Sequence, residues 1–289
     1  MAISLNNLKI FINVVDSGSI TRTAEALFIS QPAVSKAIKT IEENLGVSLF
    51  FRDKKTGIKL TDTGERILIY ARQMMLMEEK IYQTAYFSRN MLEGTLKIAS
   101  LPSGIDHILV KALARYTKKY PQVNVEILEG STKEVNRMVL EHEAEFGISI
   151  APVDGFQKET LLEDHIVAIS KDILMEEEIQ LLQSKKQFLI CRSAMESLQS
   201  ILGTSTLSVS KNFKIVGPGT VRLMAQEGLG IGIQSALLIN PFRECFYVYP
   251  VKPEICTDLI MIANDFDDLS PAANAFVKII RQHRPQESH

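Results

Sequence analysis

The segment from Ser30 to Lys39 sets groups able to read nucleic acid at helical spacing. Gln31, Ser35, Lys36 and Lys39 share the polar face of a helix there, giving it an amide, a hydroxyl and two ammonium groups. A glutamine amide can pair in two places with the edge of adenine, while serine and lysine reach bases or phosphates. Ser30 and Pro32 belong to the first turn of the same helix and are counted with it. Upstream, Ser19 and Thr21 open a shorter helix, where hydroxyls beside unpaired amides suit a phosphate. Arg52, Lys54 and Lys55 cluster in a turn that could enter a minor groove or grip phosphate. Lysines on any solvated helix face or charged turn would look alike, so the spacing leaves that reading open.

A second group of residues suits a small ligand. Ser100-Leu101-Pro102-Ser103-Gly104 lies between a strand's carboxyl end and a helix start, where hydroxyls and free amides can receive a carboxylate or phosphate. Ser131 and Thr132 occupy the equivalent turn after the next strand. Cys191-Arg192-Ser193 and Gly217–Thr220 are the matching turns further on, with Arg192 and Lys133 as candidate counter-charges. Ordinary helix capping by Ser103, and solvent-facing charges, are the plainer readings. The histidines (His107, His142, His165, His283, His289) show no metal spacing. Gly228, Gly230 and Gly232 lack the strand-first, helix-after setting of a dinucleotide fingerprint. With no nucleophile elbow and no P-loop, neither an enzyme nor a cofactor is expected.

The elements that must position these groups follow from periodicity. Leu5, Leu8, Ile10, Phe11 and Val14–Val15 give a first amphipathic helix ending near Gly18. Ser19 caps a second, ending around Leu27-Phe28. Ser30 caps a third, with Ala33, Val34, Ala37, Ile38, Ile41 and Leu45 as its apolar stripe and Gly46 as its stop. Helix, short turn and helix make a helix-turn-helix. Residues 49–52 and 58–60 read as two short strands around the turn DKKTG, a small wing. Thr61 then caps a helix expected to run from Asp62 to Met91. Its apolar residues repeat at seven, Ile67, Met74 and Ile81 on one line and Tyr70, Met77 and Met91 on another, with Thr84 and Ser88 as weaker members. One helix cannot cover such a stripe by itself, so a dimerising coiled coil is expected, with packing on its own domain as the alternative. Beyond Gly94, strands alternate with helices: 96–100, 105–119, 123–128, 132–143 and 146–150. That order predicts an α/β domain with a largely parallel sheet. Strands at 166–170, 187–191 and 259–262, and a final helix from Ser270 to Arg281, predict a second subdomain and a cleft between the two.

Composition is ordinary for a globular protein. The chain has 289 residues, 46% hydrophobic and 23% charged, with net charge −2. Residues 1–90 hold 12 Lys+Arg against 9 Asp+Glu, and the remainder 20 against 25, so the head is basic and the body acidic. No apolar run approaches the roughly 18 residues that span a bilayer. MAISLNNLKIF does not read as a signal peptide, so a cytoplasmic protein without membrane contact is expected. Cys191, Cys245 and Cys256 are widely spaced and odd in number, which fits small core residues better than disulfides or zinc.

Residues 11–64 resemble the N-terminal signature of LysR-type transcriptional regulators. The matching positions are Phe11, Val14, Gly18-Ser19, Thr21, Ala24, Leu27, Ser30 through Ser35, Ile38, Glu42, Leu45-Gly46, Leu49-Phe50, Arg52, Leu60-Thr61 and Gly64. Thr23, Ile41 and Thr63 depart from it mildly. The likeness continues through Leu96–Ala99, 118–130, 227–233 and 269–280, while Phe146 stands where the family often has an acid, a change that could alter the pocket lining. The resemblance implies a multidomain α/β protein in three parts. These are a winged helix-turn-helix (1–61), a linker and dimerisation helix (62–92) and an effector-binding domain (93–289). The last resembles periplasmic binding proteins, with subdomains at 93–161 plus 267–289 and at 162–266.

The function implied is sequence-specific binding of a double-stranded DNA operator under control of a small effector, commonly an organic anion. Gln31 and Ser35 resemble the family's base-reading positions. A homodimer is expected and, by resemblance, a homotetramer that bends its operator; RNA polymerase stays open as a further partner. Three other readings compete. A periplasmic-type solute-binding protein would suit residues 95–289 but not the head, and an enzyme with a DNA-binding head lacks a catalytic constellation. A thiol-based redox sensor would rest on Cys191 beside Arg192.

Overall fold

The computed structural model describes residues 3–51, 58–88, 91–184, 186–203, 207–215 and 217–283. Its contacts divide the chain into two units. The first comprises Met1–Thr95, Glu141–Glu143 and Ser270–Ala272, and the second the remainder.

In the first unit, α1 (Leu5–Ser17) ends at Gly18, whose φ of 63° closes the helix in the left-handed region. Ser19 caps α2 (Ile20–Ala26) by accepting the Arg22 amide, and Ser30 caps α3 (Gln31–Leu45) by accepting that of Ala33. Buried Leu8, Phe11, Val14, Ala24, Val34, Ile38 and Ile41 share one core, reached also by Leu49, Leu68 and Ala71. Thr23, one of the departures from the resembled pattern, is buried, and its hydroxyl lies 2.8 Å from Ser17 Oγ and 2.9 Å from the Ser19 carbonyl, so the buried polar atom is satisfied. The wing's base is present as an antiparallel bridge between Phe50 and Leu60. Its turn, with Arg52, Lys54 and Lys55, lies outside the described residues.

Thr61 caps α4 (Asp62–Phe87), four residues shorter than the expected end at Met91. A Cβ on Gly64 would stand 2.2 Å from the Leu49 carbonyl oxygen, which is why the wing's return needs glycine there. On the inward face of α4, Arg72 is buried between Asp16 at 2.9 Å and, in the same unit, Glu141 and Glu143 at 3.3 and 3.4 Å.

The second unit is built on two five-stranded sheets. The chain enters by β1 (Gly94–Ser100) and a helix that runs from α5 (Pro102–Gly104) through a π-turn (Ile105–Leu109) into α6 (Val110–Lys119). Then come β2 (Val123–Glu129), α7 (Thr132–Leu140), β3 (Phe146–Ile150) and β4 (Gln157–Leu162). It crosses to β5 (Ile166–Ser170), β6 (Ile179–Gln180), β7 (Phe188–Leu189), α8 (Arg192–Leu202) and α9 (Pro218–Gln226). It continues with β8 (Ile231–Ser235), α10 (Ala236–Ile239) and β9 (Tyr247–Lys252), and returns for β10 (Leu259–Ala263) and α11 (Pro271–Gln282).

The strand orders are β2-β1-β3-β10-β4 and β6-β9-β5-β8-β7. Strand β1 is parallel to β3, but β10 runs antiparallel to both β3 and β4, and β5 antiparallel to both β8 and β9. The sheets are therefore mixed rather than largely parallel, because β10 returns into the first sheet and β5 enters the second, each running against its neighbours. The same return puts β10 in the first sheet, so the second crossover precedes residue 259 instead of following 266.

Phe146 is fully buried with its ring 6.0 Å from Phe276, so this departure from the family pattern is a core residue rather than a pocket lining. Cys191 is buried as expected, whereas Cys245 and Cys256 are exposed.

Candidate DNA interface and effector turns

Capping fixes the start of α3 and, with it, the face it presents. Val34, Ala37, Ile38 and Ile41 turn into the core, so Gln31, Ser35, Lys36 and Lys39 are left exposed on the opposite side. Gln31 Nε2 donates to Thr21 Oγ1 at 3.1 Å, which joins the predicted reader on α3 to the predicted phosphate donor on α2. That bond restrains a long side chain before any ligand arrives, and it was not visible in the spacing. Lys39 stands 3.4 Å from Glu43, a helical i,i+4 pair with both partners largely in solvent. Ser19 and Ser30 have their hydroxyl oxygens engaged as caps. Pro32 is exposed in the first turn of α3.

Along α4, Tyr70, Met74, Met77 and Ile81 are exposed apolar side chains, while Ile67 packs partly into the core. The stripe borders an apolar groove of about 330 Å³ lined by Ile3, Leu8, Leu45, Val47, Tyr70 and Met74, among others.

The predicted effector residues fall into two groups, one on each sheet. In the first, Ser100 ends β1 with its hydroxyl fully buried and donating to the Leu101 carbonyl at 2.9 Å. Leu101 and Ser103 are buried, Pro102 opens the helix, and the Gly130 amide donates to the Ser100 carbonyl at 3.1 Å, drawing the two turns together. Ser131 forms a capping box: its amide and hydroxyl donate to Glu134 Oε2 at 2.8 and 2.7 Å. The start of α7, just before Thr132, thus already holds a carboxylate, which answers the helix dipole from within the chain. Nearby, buried Ser149 donates to Asn136 Oδ1 at 2.6 Å. A serine inside the apolar run of β3 was the available sign of this pair, which the motif reading missed.

In the second group, buried Cys191 stands at the start of α8, Arg192 opens that helix, and Gly217 precedes α9 with Thr220 exposed in its first turn. Gln234, 4% exposed, donates to the Pro218 carbonyl at 2.9 Å and holds this turn against β8.

The sheets are joined by two crossover segments that bond to one another. The Thr257 amide donates to the Asp164 carbonyl at 2.7 Å, and His165 bridges Cys256. The Asp164 side chain, 5% exposed, accepts from Ser235 Oγ at 2.5 Å, the Leu237 amide at 3.1 Å and Thr257 Oγ1 at 3.2 Å. Burial raises its pKa above the usual aspartate value, and the donors around it oppose that shift. Among the described residues, no group of His, Cys, Asp and Glu is arranged to hold a metal ion, and no helix is long and apolar enough to cross a membrane.

Two family models together match nearly the whole chain. The bacterial regulatory helix-turn-helix protein, lysR family, matches residues 5–65, and the LysR substrate binding domain matches 89–285. The chain belongs to the LysR family. It is a DNA-binding transcriptional regulator with an effector-binding domain, and not an enzyme. Among curated relatives, the uncharacterized HTH-type transcriptional regulator YoaU of Bacillus subtilis is 32% identical over 286 residues, covering 97% of this chain and 99% of that one. A full-length OxyR variant from Pseudomonas aeruginosa shares the fold at 19% identity and TM-score 0.73, covering 99% of each chain. Full-length CbnR in complex with its target DNA shares it at 17% identity and TM-score 0.58, covering 96% and 99%. These solved structures share the fold over nearly the whole chain.

Proposed function

We propose that this LysR regulator reads its operator with Gln31, Ser35, Lys36 and Lys39, supported on phosphate by Thr21 and Ser19, and that a small effector held by the turns of both sheets controls the reading. The observation that carries it is the exposed polar face of α3, with Gln31 steadied by Thr21 before DNA is present. The operator is duplex DNA, and the protein works in the cytoplasm.

The exposed stripe of Tyr70, Met74, Met77 and Ile81, continuous with an apolar groove in the head, supports a homodimer formed through α4. Two heads then read two half-sites, which multiplies discrimination. For the effector, the turns around Leu101–Ser103, Arg192 and Gly217–Thr220 offer helix-start amides to an anionic group, while Ser131 and Thr132 border the site at a helix start already answered by Glu134. Ligand entry would change the angle between sheets whose crossovers are pinned at Asp164, and the dimer's DNA spacing would follow.

The test is binding of the purified protein to duplex DNA from its own promoter region, by fluorescence anisotropy, against Gln31→Ala and random duplex. Selective binding that weakens roughly tenfold or more in Gln31→Ala is expected, the scale of one lost bidentate base contact. Equal binding to random DNA would defeat the proposal.

A further inference from the structure

Phe28 sits in the turn of the helix-turn-helix in a conformation its own fold does not favour. Its φ is 53°, in the left-handed region that large L side chains rarely adopt. The turn demands it: the Ile29 amide donates to the Ala24 carbonyl at 3.0 Å and the Phe28 amide to that of Glu25 at 3.2 Å. This is how a helix closes on a residue that is usually glycine or asparagine. Phenylalanine is poorly suited to that position, and core packing does not compensate, because its side chain is 97% exposed. Among the exposed residues around it, Thr21, Arg22, Glu25, Ser30, Gln31 and Ser35 are polar, and the apolar ones are the small Ala26, Pro32 and Ala33 and the partly covered Ile29, 37% exposed. An aromatic held in a strained conformation and almost wholly exposed points to a partner outside the chain.

We propose that Phe28 is a specificity contact to DNA, its ring set against the C5-methyl group of a thymine close to the base read by Gln31. This rests on the proposed reading of DNA by α3. Phe28 precedes Gln31 by three residues, so their Cα atoms are at most about 11 Å apart, roughly three base steps at the duplex rise of about 3.4 Å. A phenyl ring cannot bond phosphate. The apolar feature a major groove offers is the thymine methyl, and phenylalanine is one of the side chains that contacts it.

The test compares wild type, Phe28→Asn and Gln31→Ala on the selected operator, with each thymine in turn replaced by uracil. Asparagine tolerates the left-handed conformation, so Phe28→Asn should melt at the same temperature as wild type or higher. It should bind about fivefold to twentyfold more weakly, the scale of losing one apolar contact larger than a methyl. One uracil substitution should weaken wild type about fourfold and leave Phe28→Asn unaffected. Unchanged binding by Phe28→Asn, while Gln31→Ala still loses affinity, would overturn the contact and leave the α3 reading standing. If neither substitution changes binding, both fall. A Phe28→Asn protein that sediments as a monomer would overturn it too, by assigning the ring to a contact between copies.

Discussion

Asp164 is a carboxylate in a setting that disfavours charge, and that gives it a measurable signature. Donors from Ser235, Leu237 and Thr257 converge on it, joining β8, α10 and the return crossover. Removing it in Asp164→Ala leaves those donors facing each other, at about 3 kcal/mol of folding stability by the usual penalty for buried unpaired groups. The pH dependence has a definite sign. Burial raises the folded-state pKa above the ordinary 3.8, so the folded protein binds the proton more tightly than the unfolded chain. Stability from this group is therefore greatest at low pH and falls as pH rises from 3.8 through the raised value. In thermal melts across that window, wild type should lose stability relative to Asp164→Asn as pH increases. A flat difference, or one of opposite slope, would assign the burial no energetic weight.

At the scale of elements, α4 carries two faces with different tasks. Leu68, Ala71 and Arg72 turn inward, while Tyr70, Met74, Met77 and Ile81 meet solvent. If a second copy covers the outer stripe, the double substitution Met77→Glu, Ile81→Glu should give a monomer in sedimentation velocity. The head core does not include these side chains and should melt unchanged. Operator affinity should drop at least about tenfold, since a lone head reads a half-site. A dimer surviving both charges would place the interface elsewhere. The limits of α2 and α3 were legible in the sequence because Ser19, Ser30 and Gly46 act through bonds a few residues long. The end of α4 was not, because Ser88 and Met91 keep the heptad spacing past Phe87, where the helix stops.

At the scale of the whole molecule, a net charge of −2 conceals a basic head on an acidic body. Binding should therefore be strongly salt-dependent despite the acidic total. With about two phosphate contacts per head and a slope of about −0.9 per contact, a dimer should bind roughly tenfold more weakly when salt is doubled. Anisotropy titrations at a series of salt concentrations measure the slope. A slope near zero would remove the lysines of α3 from the interface.

The sequence by itself determined the helix-turn-helix, the polar face of α3 and the apolar stripe of α4, because caps and the 3.6-residue period act within one or two turns. The membership of a regulator family was legible for the same reason, since its signature lies in that local segment. Strand direction was decided only by the tertiary structure: β3, β5 and β10 are apolar runs buried on both faces, and such runs read alike whether paired parallel or antiparallel. The state of each ligand-turn hydroxyl was decided there as well. Ser100 turns its hydroxyl into the fold and Ser131 commits its own to Glu134, through bonds whose partners depend on how the turns close. The burial of Asp164 had the same origin, because Ser235, Leu237 and Thr257 lie 71 to 93 residues away in the chain and meet it only when the second sheet has formed.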